Sequence, residues 1–579
     1  MKGRFKFIII VTFICGALIL GRLFQLQVID HNFNSPVISE ETVPAPRGRI
    51  FIKEKEGLFP LTLNLNQYHL IVDPQAIQKE DKVMEVAEKI APFLGIVIKN
   101  KSQFIQEDSG TDDFKNLLSR LSRKDDRYEL LKKDLTTQEF EEIKSFNLPG
   151  IFLNPVLKRY YPEAEFFGHL TGFTRIIDGK QRGQYGLEEF FDKDLTGTAG
   201  RQVKKLSSFP IYFTDKKAKP GVDIVLTIDR SLQFFVCNLL ERAIKDYKAD
   251  SGSIILLSPK TGAILALANY PYFDPNKYFQ VEDLSIFKNS TISDSFEPGS
   301  IFKIITMAGG LDSNKVTPTS LFTDAGFVKI DGETIHNVDD ENFGIVTMRE
   351  IMEESINTGA VYVADLLGRE SFRNYLKKFG FGSLTGIELT GEVSGDINNL
   401  EREQPIYLAT ASFGQGVSVT PLQMVTAVGA IANSGQLMKP FIVDEIIDGD
   451  KIIKKDIKPI RNVISPSAAA MISNIMVSVV DNGYGSRARV PGYLVAGKTG
   501  TAQVPESEGG YSDEVVHSFV GFAPATNPVF AALVKIDNPK EERFAATTAA
   551  TVFGDLAEFV LKYYNIPPDA EHGNTGARE

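Results

Sequence analysis

The stretch Asp294-Ser-Phe-Glu-Pro-Gly-Ser-Ile-Phe-Lys-Ile-Ile-Thr-Met-Ala-Gly-Gly-Leu311 combines a turn signal, an apolar helix pattern and a serine three residues before a lysine. Pro298 and Gly299 mark the turn, and apolar residues recur after it at helical spacing. We therefore expect Ser300 on the first turn of a core-packed helix, with Lys303 on the same face. Burial would lower the pKa of this lysine, so that its neutral amine could take the serine proton. The pattern predicts a serine nucleophile that works without histidine.

The same four residues occur a second time, as Ser285-Ile-Phe-Lys288. A Ser-x-x-Lys match is expected by chance roughly twice in a chain of this length, so the spacing alone does not identify a site. The upstream copy follows an acidic segment, and it has neither a turn signal before it nor an apolar helical stripe after it. We predict that Ser285 lies on the surface and that Ser300 is the reactive serine.

Composition narrows the class of protein. The chain has 579 residues, enough for two or three domains, and a net charge of −11, which argues against a nucleic-acid binder. Cys15 and Cys237 lie far apart in an apolar segment and a predicted helix, so no disulfide scaffold is expected. The six histidines are dispersed without ligand spacing, and we therefore expect neither a metal site nor a cofactor.

The first 24 residues predict a membrane anchor. Lys2, Arg4 and Lys6 precede an apolar stretch from Phe7 to Phe24, and eighteen helical residues span roughly 27 Å. A cleaved signal peptide is the alternative, but no small-x-small site closes the apolar run. We expect an uncleaved single span in the cytoplasmic membrane, with the N-terminus inside and about 550 residues outside.

The remaining chain is predicted to divide at a linker, Ser207–Gly221, where two prolines flank a Lys-rich run. After it come a strand and a helix, then two strands, a helical block, three more strands and a closing helix. We predict the strands at Val222–Ile228, Ser253–Ser258, Ala263–Ala268, Tyr493–Val504, Val515–Phe522 and Val529–Ile536, and the closing helix at Thr548–Tyr564. Another helix is predicted to start at Thr420-Pro421, because proline is favoured at the first helical position. This order predicts an α+β domain, an antiparallel sheet flanked by helices.

The predicted domains are a cytoplasmic tip and anchor at 1–24, an N-terminal domain at 25–215, a catalytic domain at 216–566 and a mobile tail at 567–579.

Two further motifs follow Ser300 in order, Ser355-Ile-Asn357 and Lys498-Thr-Gly-Thr501. The set Ser-x-x-Lys, Ser-x-Asn and Lys-Thr-Gly is that of serine β-lactamases and penicillin-binding proteins. Decoys of the last two motifs, Ser145-Phe-Asn147 and Lys260-Thr-Gly262, precede the serine, and the second occupies a predicted hairpin turn. The ordered triple predicts an acyl-transfer site.

Over nearly its whole length the chain resembles the class B penicillin-binding proteins, which are monofunctional peptidoglycan D,D-transpeptidases. The segments that match family patterns are Arg47-Gly-Arg-Ile50, Arg159-Tyr-Tyr-Pro162, Phe296–Lys303, Phe413-Gly-Gln-Gly416, Val419–Gln423 and Gly497–Ala502. One departure is Ile52, which stands where the family usually has aspartate. The resemblance implies a penicillin-binding/serine β-lactamase-like transpeptidase domain on an elongated N-terminal pedestal of the dimerisation type. It is strongest to the cell-division enzyme, with the elongation-type transpeptidase as the near rival.

The resemblance also implies the role of each site residue. Ser300 attacks the penultimate D-Ala of a stem peptide and Lys303 takes its proton. Ser355 relays a proton to the leaving amine, Asn357 binds a substrate amide and Lys498 supplies positive charge.

Substrate binding is assigned in the same way to the strand after Lys498. Thr499 and Thr501 bind the terminal carboxylate, and Gly500 lets the substrate backbone lie close to the strand. The N–H groups of Ser300 and Thr501 form the oxyanion hole.

The partners that the resemblance implies are stem peptides ending in D-Ala-D-Ala, β-lactams, a SEDS-family glycan polymerase and other division proteins. A D,D-carboxypeptidase, a β-lactamase and a β-lactam sensor are the alternatives that use the same three motifs. A sensor should carry several membrane spans and a cytoplasmic effector, whereas only about six residues precede the predicted anchor.

Overall fold

The computed structural model describes residues 2–25, 38–43, 45–97, 112–205, 211–506 and 510–569. The α-helices in these ranges are α1 Lys2–Phe24, α2 Pro74–Lys79, α3 Val83–Ile90, α4 Asp112–Leu121, α5 Thr137–Ser145, α6 Ala164–Thr171, α7 Gly186–Phe190, α8 Asp192–Thr196, α9 Arg230–Asp246, α10 Ser290–Ser293, α11 Lys303–Asp312, α12 Met348–Glu353, α13 Asn357–Leu367, α14 Arg369–Phe379, α15 Pro405–Ser412, α16 Pro421–Ala432, α17 Pro466–Asn482 and α18 Ala549–Tyr563.

The strands in the same ranges are β1 Ile38–Val43, β2 Ile50–Glu54, β3 Gly57–Pro60, β4 Leu63–Val72, β5 Glu129–Leu135, β6 Ile151–Tyr160, β7 Phe173–Ile177, β8 Lys180–Gln184, β9 Gly200–Lys205, β10 Ile211–Lys216, β11 Asp223–Leu226, β12 Ser251–Leu257, β13 Ile264–Tyr270, β14 Leu321–Asp324, β15 Phe327–Ile330, β16 Glu333–His336, β17 Gly344–Thr347, β18 Gln436–Met438, β19 Val443–Asp448, β20 Lys451–Lys454, β21 Pro459–Asn462, β22 Ala496–Pro505, β23 Tyr511–Ala523 and β24 Phe530–Asp537.

The central sheet has the strand order β13-β12-β24-β23-β22, and every neighbouring pair is antiparallel. Its side chains alternate between two faces, as the pleat requires. Ile254 and Val534 pack on one face in a core shared with α9 and α18. On α16, a Cβ added at Gly429 would lie 3.1 Å from Leu257 of the sheet. The α+β architecture, an antiparallel sheet with packed helices, is confirmed.

Helix α16 starts where the Thr-Pro signal predicts. The hydroxyl of Thr420 accepts the N–H of Gln423, and the side chain of Gln423 accepts the N–H of Thr420. This capping box satisfies free donors of the first turn, and Pro421 lacks an N–H that would need a partner. Nearly all of α16 is buried, so it is a core helix.

The chain forms two compact units, residues 1–48 with 193–222, and residues 49–192 with 223–579. In the first unit, β1, β9 and β10 form one sheet. Strand β10 falls inside the predicted linker Ser207–Gly221, so that part of the linker assignment is wrong, and residues 206–210 lie outside the described residues. The run Ile211-Tyr-Phe-Thr214 is β-branched and aromatic, and its preference for a strand outweighs the neighbouring prolines and lysines.

In the second unit, β2 pairs parallel to β11 within the sheet β20-β19-β11-β2-β3. Ile52, at the position where the family pattern has aspartate, is completely buried in this sheet. Arg159 donates to Glu188 in an ion pair whose two side chains are almost fully buried. The Arg-Tyr-Tyr-Pro segment therefore contributes to the packing of residues 49–192.

The predicted membrane anchor lies on a single helix, α1. Within the described residues, none of the helices combines the length and the apolar run that crossing a bilayer requires.

The predicted mobile tail, residues 567–579, is held at its start. Asp569 accepts hydrogen bonds from the N–H of Leu494 and the hydroxyl of Thr526, and residues 570–579 lie outside the described residues.

Candidate active site

Ser300 follows a sharp backbone turn that packs against the edge strand of the central sheet. Gly299 has φ +55°, a left-handed conformation that favours glycine, and its N–H donates to the carbonyl of Gly414. Ser300 lies in a 3₁₀ turn, Gly299–Phe302, that runs directly into α11. The predicted first helical turn is therefore present in the tighter 3₁₀ form that is frequent at helix N-termini.

Gly500 on β22 brings this turn and the strand together. A Cβ at Gly500 would lie 2.6 Å from Ser518 Oγ, 2.9 Å from the Pro298 carbonyl oxygen and 3.0 Å from Ile301 Cγ2. A Cβ at Gly299 would in turn lie 3.1 Å from the carbonyl oxygen of Thr501. Two glycines thus place the backbone of Ser300 beside residues 499–501.

Lys303 connects the first two motifs. Its side chain is 1% exposed. Its Nζ donates to the carbonyl oxygen of Ser355, to Asn357 Oδ1 at 2.7 Å and to Ser355 Oγ at 3.3 Å. Ser355 has φ +56°, which costs free energy for a residue with a side chain and is typical of functional sites. The serine between α12 and α13 is held in a strained conformation that faces the lysine.

Lys498 on β22 approaches the same hydroxyl. Its side chain is completely buried, and its Nζ donates to Ser355 Oγ at 3.0 Å. A hydroxyl has two acceptor lone pairs and one donor hydrogen. Lys498 donates to this oxygen and Lys303 Nζ lies within hydrogen-bond distance of it, so the Ser355 hydroxyl connects the two amines. The arrangement suits a proton relay.

Burial sets the protonation of both lysines. Complete burial, with the nearby charge of Lys498, holds the pKa of Lys303 well below its ordinary value, as predicted. Burial also lowers the pKa of Lys498 to about 7, with the carboxylate of Glu354 acting in the opposite direction. Burial and the charge of Lys498 therefore favour the neutral form of Lys303, and Lys498 is the lysine whose charge is supported by a carboxylate.

The three predicted substrate-binding residues lie along β22. Thr499 is buried and Thr501 is exposed, with its hydroxyl accepting the N–H of Ala545 at 3.2 Å. In the part of the chain that the structure describes, β22 is the last strand of its sheet beyond β23. An extended peptide could add to this edge, next to Gly500.

The decoy motifs lie elsewhere. Ser285 and Lys288 are exposed, as predicted, and Ser285 Oγ donates to Asp283 at 2.7 Å. Lys260 is exposed in the hairpin turn between β12 and β13, where its Nζ donates to Asn527. The structure brings Lys303, Ser355, Asn357 and Lys498 into one hydrogen-bonded group beside Ser300, and the Ser285 and Lys260 decoys lie outside it.

Sequence reasoning missed Glu297, which anchors the turn before Ser300. Its carboxylate accepts the N–H of Gly416 at 2.9 Å and the hydroxyl of Tyr511 at 3.0 Å, and burial raises its pKa. The sequence offered one signal, because the Phe-Gly-Gln-Gly segment that ends at Gly416 matches a family pattern, but that pattern does not say which residue the segment contacts.

Within the described residues, no group of three or more histidine, cysteine, aspartate and glutamate side chains could hold a metal ion.

Two family models match the chain. The penicillin-binding protein transpeptidase domain matches residues 252–558, and the penicillin-binding protein dimerisation domain matches residues 42–226.

Curated proteins of similar sequence include stage V sporulation protein D of Bacillus subtilis, 36% identical over 75% of this chain and 69% of that protein. Peptidoglycan D,D-transpeptidase FtsI of Escherichia coli is 32% identical over 77% of this chain and 74% of that protein.

Among solved structures, a peptidoglycan synthetase from Bifidobacterium adolescentis is 27% identical, with a TM-score of 0.71 over 93% of this chain and 98% of that one. Penicillin binding protein 2X from Streptococcus thermophilus shares the fold, with a TM-score of 0.76 over 90% of this chain and 80% of that one, at 23% identity.

Proposed function

The chain belongs to the class B penicillin-binding proteins, and we propose that it is a D,D-transpeptidase that cross-links peptidoglycan stem peptides through an acyl-enzyme on Ser300. The observation that carries the proposal is the convergence of two buried lysines on the hydroxyl of Ser355, beside the Ser300 turn. A surface serine and lysine at the same spacing, as in Ser285 and Lys288, have no such surroundings.

In the acylation step, Ser300 Oγ attacks the carbonyl carbon of the penultimate D-Ala, and its proton passes to the neutral amine of Lys303. The oxyanion that forms is stabilised by the N–H groups of Ser300 and Thr501. The C–N bond then breaks, the leaving amine receives a proton from Ser355 Oγ, and terminal D-Ala departs. Ser355 regains a proton from Lys303, which passes on the proton it took from Ser300 and becomes neutral again, while Lys498 keeps its charge.

In the second step, an amine of a neighbouring stem peptide attacks the ester carbonyl. Its proton returns through the same groups, the ester C–O bond breaks, and Ser300 is released with a new peptide cross-link. A β-lactam mimics the D-Ala-D-Ala end and acylates Ser300 by opening of its ring amide. No fragment departs in that reaction, so the adduct blocks the approach of the amine.

Substrate binding is proposed along β22. The terminal carboxylate of the stem peptide is held by the hydroxyls of Thr499 and Thr501 and by the positive charge of Lys498. Asn357 binds a substrate amide, and the backbone of the donor peptide lies along the edge of β22 that faces away from β23.

We further propose that the enzyme is anchored by residues 1–24 and works in septal wall synthesis beside a SEDS-family glycan polymerase. The similarity to the FtsI protein of Escherichia coli supports the septal role. Depletion of the protein tests it: septation should fail while cells keep elongating. Arrest of elongation with continued septation would indicate the elongation-type role instead.

The reaction is tested with a donor stem-peptide analogue ending in D-Ala-D-Ala, with and without a D-amino acid as acceptor. We expect release of D-Ala and an exchange product that grows with acceptor concentration. Ser300→Ala should abolish both, and Ser285→Ala is the matched control. Release of D-Ala by hydrolysis alone, at saturating acceptor, would identify a D,D-carboxypeptidase.

A further inference from the structure

A buried polar group lies behind the Ser355–Asn357 segment and has no part in the reaction described above. Asp324 ends β14 and is 2% exposed, and Asn337 follows β16 and is 4% exposed. Burial of an aspartate and an asparagine is unfavourable unless their hydrogen bonds are satisfied. The hydrogen-bond partners of these two side chains therefore indicate which part of the structure they support.

The carboxylate of Asp324 accepts four hydrogen bonds. Oδ1 accepts from the hydroxyl of Thr358 at 2.6 Å and from the N–H of Gly326 at 3.0 Å. Oδ2 accepts from Asn337 Nδ2 and from the N–H of Phe343, both at 2.9 Å. Burial opposes ionisation, but these four donors outweigh it and hold the pKa of Asp324 below its ordinary value. Asp324 is a fixed anion that orients Asn337 and Thr358.

Asn337 caps helix α13 from outside the helix. Its Nδ2 donates to Asp324 and to the carbonyl of Glu341, so its Oδ1 is left to accept. Oδ1 accepts the N–H of Asn357 at 3.0 Å and the N–H of Thr358 at 3.2 Å. The residue at the N-cap position of α13 is Ile356, which provides no side-chain cap. Asn337 thus supplies the acceptor that the first turn of α13 lacks.

The residue before Asn337 fixes the side chain of Asn357. Asn357 Nδ2 donates to the carbonyl of His336 at 2.9 Å. The amide oxygen Oδ1 therefore faces Lys303, and it accepts a hydrogen bond from Lys303 Nζ at 2.7 Å. Both the backbone and the amide of Asn357 are therefore positioned by residues 336–337. The direction of the hydrogen bond between Asn357 and Lys303 follows from that placement.

We propose that Asp324, Asn337 and Thr358 are positioning residues for acylation. Together they hold α13 and the Ser355–Asn357 segment so that Lys303 keeps its acceptors and its place near Ser300. This inference rests on the proposed function, because it assigns Lys303 the role of base. It extends the machinery to a buried anion that does not touch the substrate.

The test compares Asn337→Ala with Asn342→Ala in full-length enzyme. Asn342 lies in the same loop, is exposed, and its Oδ1 accepts from Gly344 only two residues away. The rate of acylation by a fluorescent penicillin is measured against pH, together with the dissociation constant of the non-covalent complex. We expect Asn337→Ala to lower the plateau rate by about tenfold to a hundredfold, because small displacements of catalytic groups have effects of that size. Asn342→Ala should behave as wild type.

The pH profile separates positioning from simple loss of stability. The acylation rate should rise with pH as Lys303 loses its proton, and we call this rise the rising limb. Acceptors on Lys303 favour its charged form, so their displacement should lower its pKa further and move the rising limb to lower pH. The charges of Lys498 and Glu354 remain in the variant. The proposal would be overturned if the rate fell only in proportion to the fraction of folded enzyme and the rising limb stayed at its wild-type pH.

A second pair of variants covers the case in which Asn337→Ala does not fold. Thr358→Val removes the hydroxyl that donates to Asp324 and keeps the shape of the side chain, whereas Thr358→Ser keeps the donor. We expect Thr358→Val to be slow with a displaced limb and Thr358→Ser to recover most of the rate. Equal wild-type rates in both would contradict the inference. If labelling persists in Ser300→Ala, the proposed function itself is wrong.

Discussion

At the scale of single residues, Ser300 and Ser285 occupy identical tetrapeptides with different surroundings. Ser300 leads into α11, whose residues from Lys303 to Leu311 are buried. Ser285 lies on an exposed 3₁₀ turn and donates to Asp283. The Ser285 hydroxyl donates to a surface carboxylate beside an exposed lysine, so its motif lacks the burial that surrounds Lys303. Reactivity therefore follows from the environment of the lysine.

We expect Ser300→Ala to abolish covalent labelling by a fluorescent penicillin and Ser285→Ala to label at close to the wild-type rate. Lys303→Ala should also lose acylation, because the neutral amine is removed, whereas Lys288→Ala should not. Intact-mass spectrometry with peptide mapping of the adduct is the measurement. An adduct on the peptide that holds Ser285 would refute the assignment of the nucleophile.

The two lysines also predict the pH dependence of acylation. The rate should rise with pH as Lys303, whose pKa is lowered, loses its proton. It should fall again as Lys498, with a pKa of about 7, loses the charge that binds the substrate carboxylate. Glu354 favours that charge, so Glu354→Gln should move the falling limb to lower pH, by about 0.5 to 1 unit. The second-order rate constant of acylation by a penicillin is measured against pH, with a variant of the exposed Glu282, Glu282→Gln, as control. A falling limb that stays at the same pH in Glu354→Gln would argue against this role of Glu354.

At the scale of elements, the site depends on the packing of the Ser300 turn against β22. A methyl group at Gly500 would overlap Ser518 Oγ and the Pro298 carbonyl oxygen. Gly500→Ala should therefore separate the strand from the turn, costing about 1–3 kcal/mol of stability and slowing acylation about tenfold or more. Thermal unfolding and the acylation rate are the measurements.

Ser518→Ala in the Gly500→Ala background provides the matched control for this packing. It removes the nearest atom, but the Pro298 carbonyl oxygen belongs to the backbone and remains. We expect partial recovery of stability with little recovery of acylation. Wild-type acylation by Gly500→Ala alone would show that the close approach is not required.

At the scale of the whole molecule, the anchor and the catalytic site are predicted to be separable. Gly16, Ala17 and Gly21 in the N-terminal segment would allow close packing against another helix in lipid. Replacement of residues 1–24 by an unrelated single span should leave penicillin binding intact and abolish complementation of division. A shuffled segment that keeps the three small residues at their positions is the control, and full complementation by the unrelated span would contradict the partner contact.

Local sequence patterns were enough to predict the central strands, two helices of the catalytic domain and the order of its motifs. The five central strands, the helix at Pro421 and the closing helix all lie within a few residues of their predicted positions, apart from strand ends such as that of β23. These features depend on local chemistry, namely alternation along a strand, apolar spacing along a helix and a Thr-Pro cap. The strand β10 was missed because its short β-branched run stands between prolines and lysines.

The contacts between the predicted site residues, and the residues that support them, could be seen only in the tertiary structure. Lys498 reaches Ser355 across 143 positions of the sequence, Gly416 reaches Glu297 across 119, and Asn337 caps a helix that begins 20 residues later. Such contacts are produced by the packing of the sheet and helices, and the local spacing of residues does not predict them. Burial of Lys303 and the resulting fall of its pKa were expected from the helix pattern, whereas the second cause, the charge of Lys498 on another element, comes from the tertiary structure.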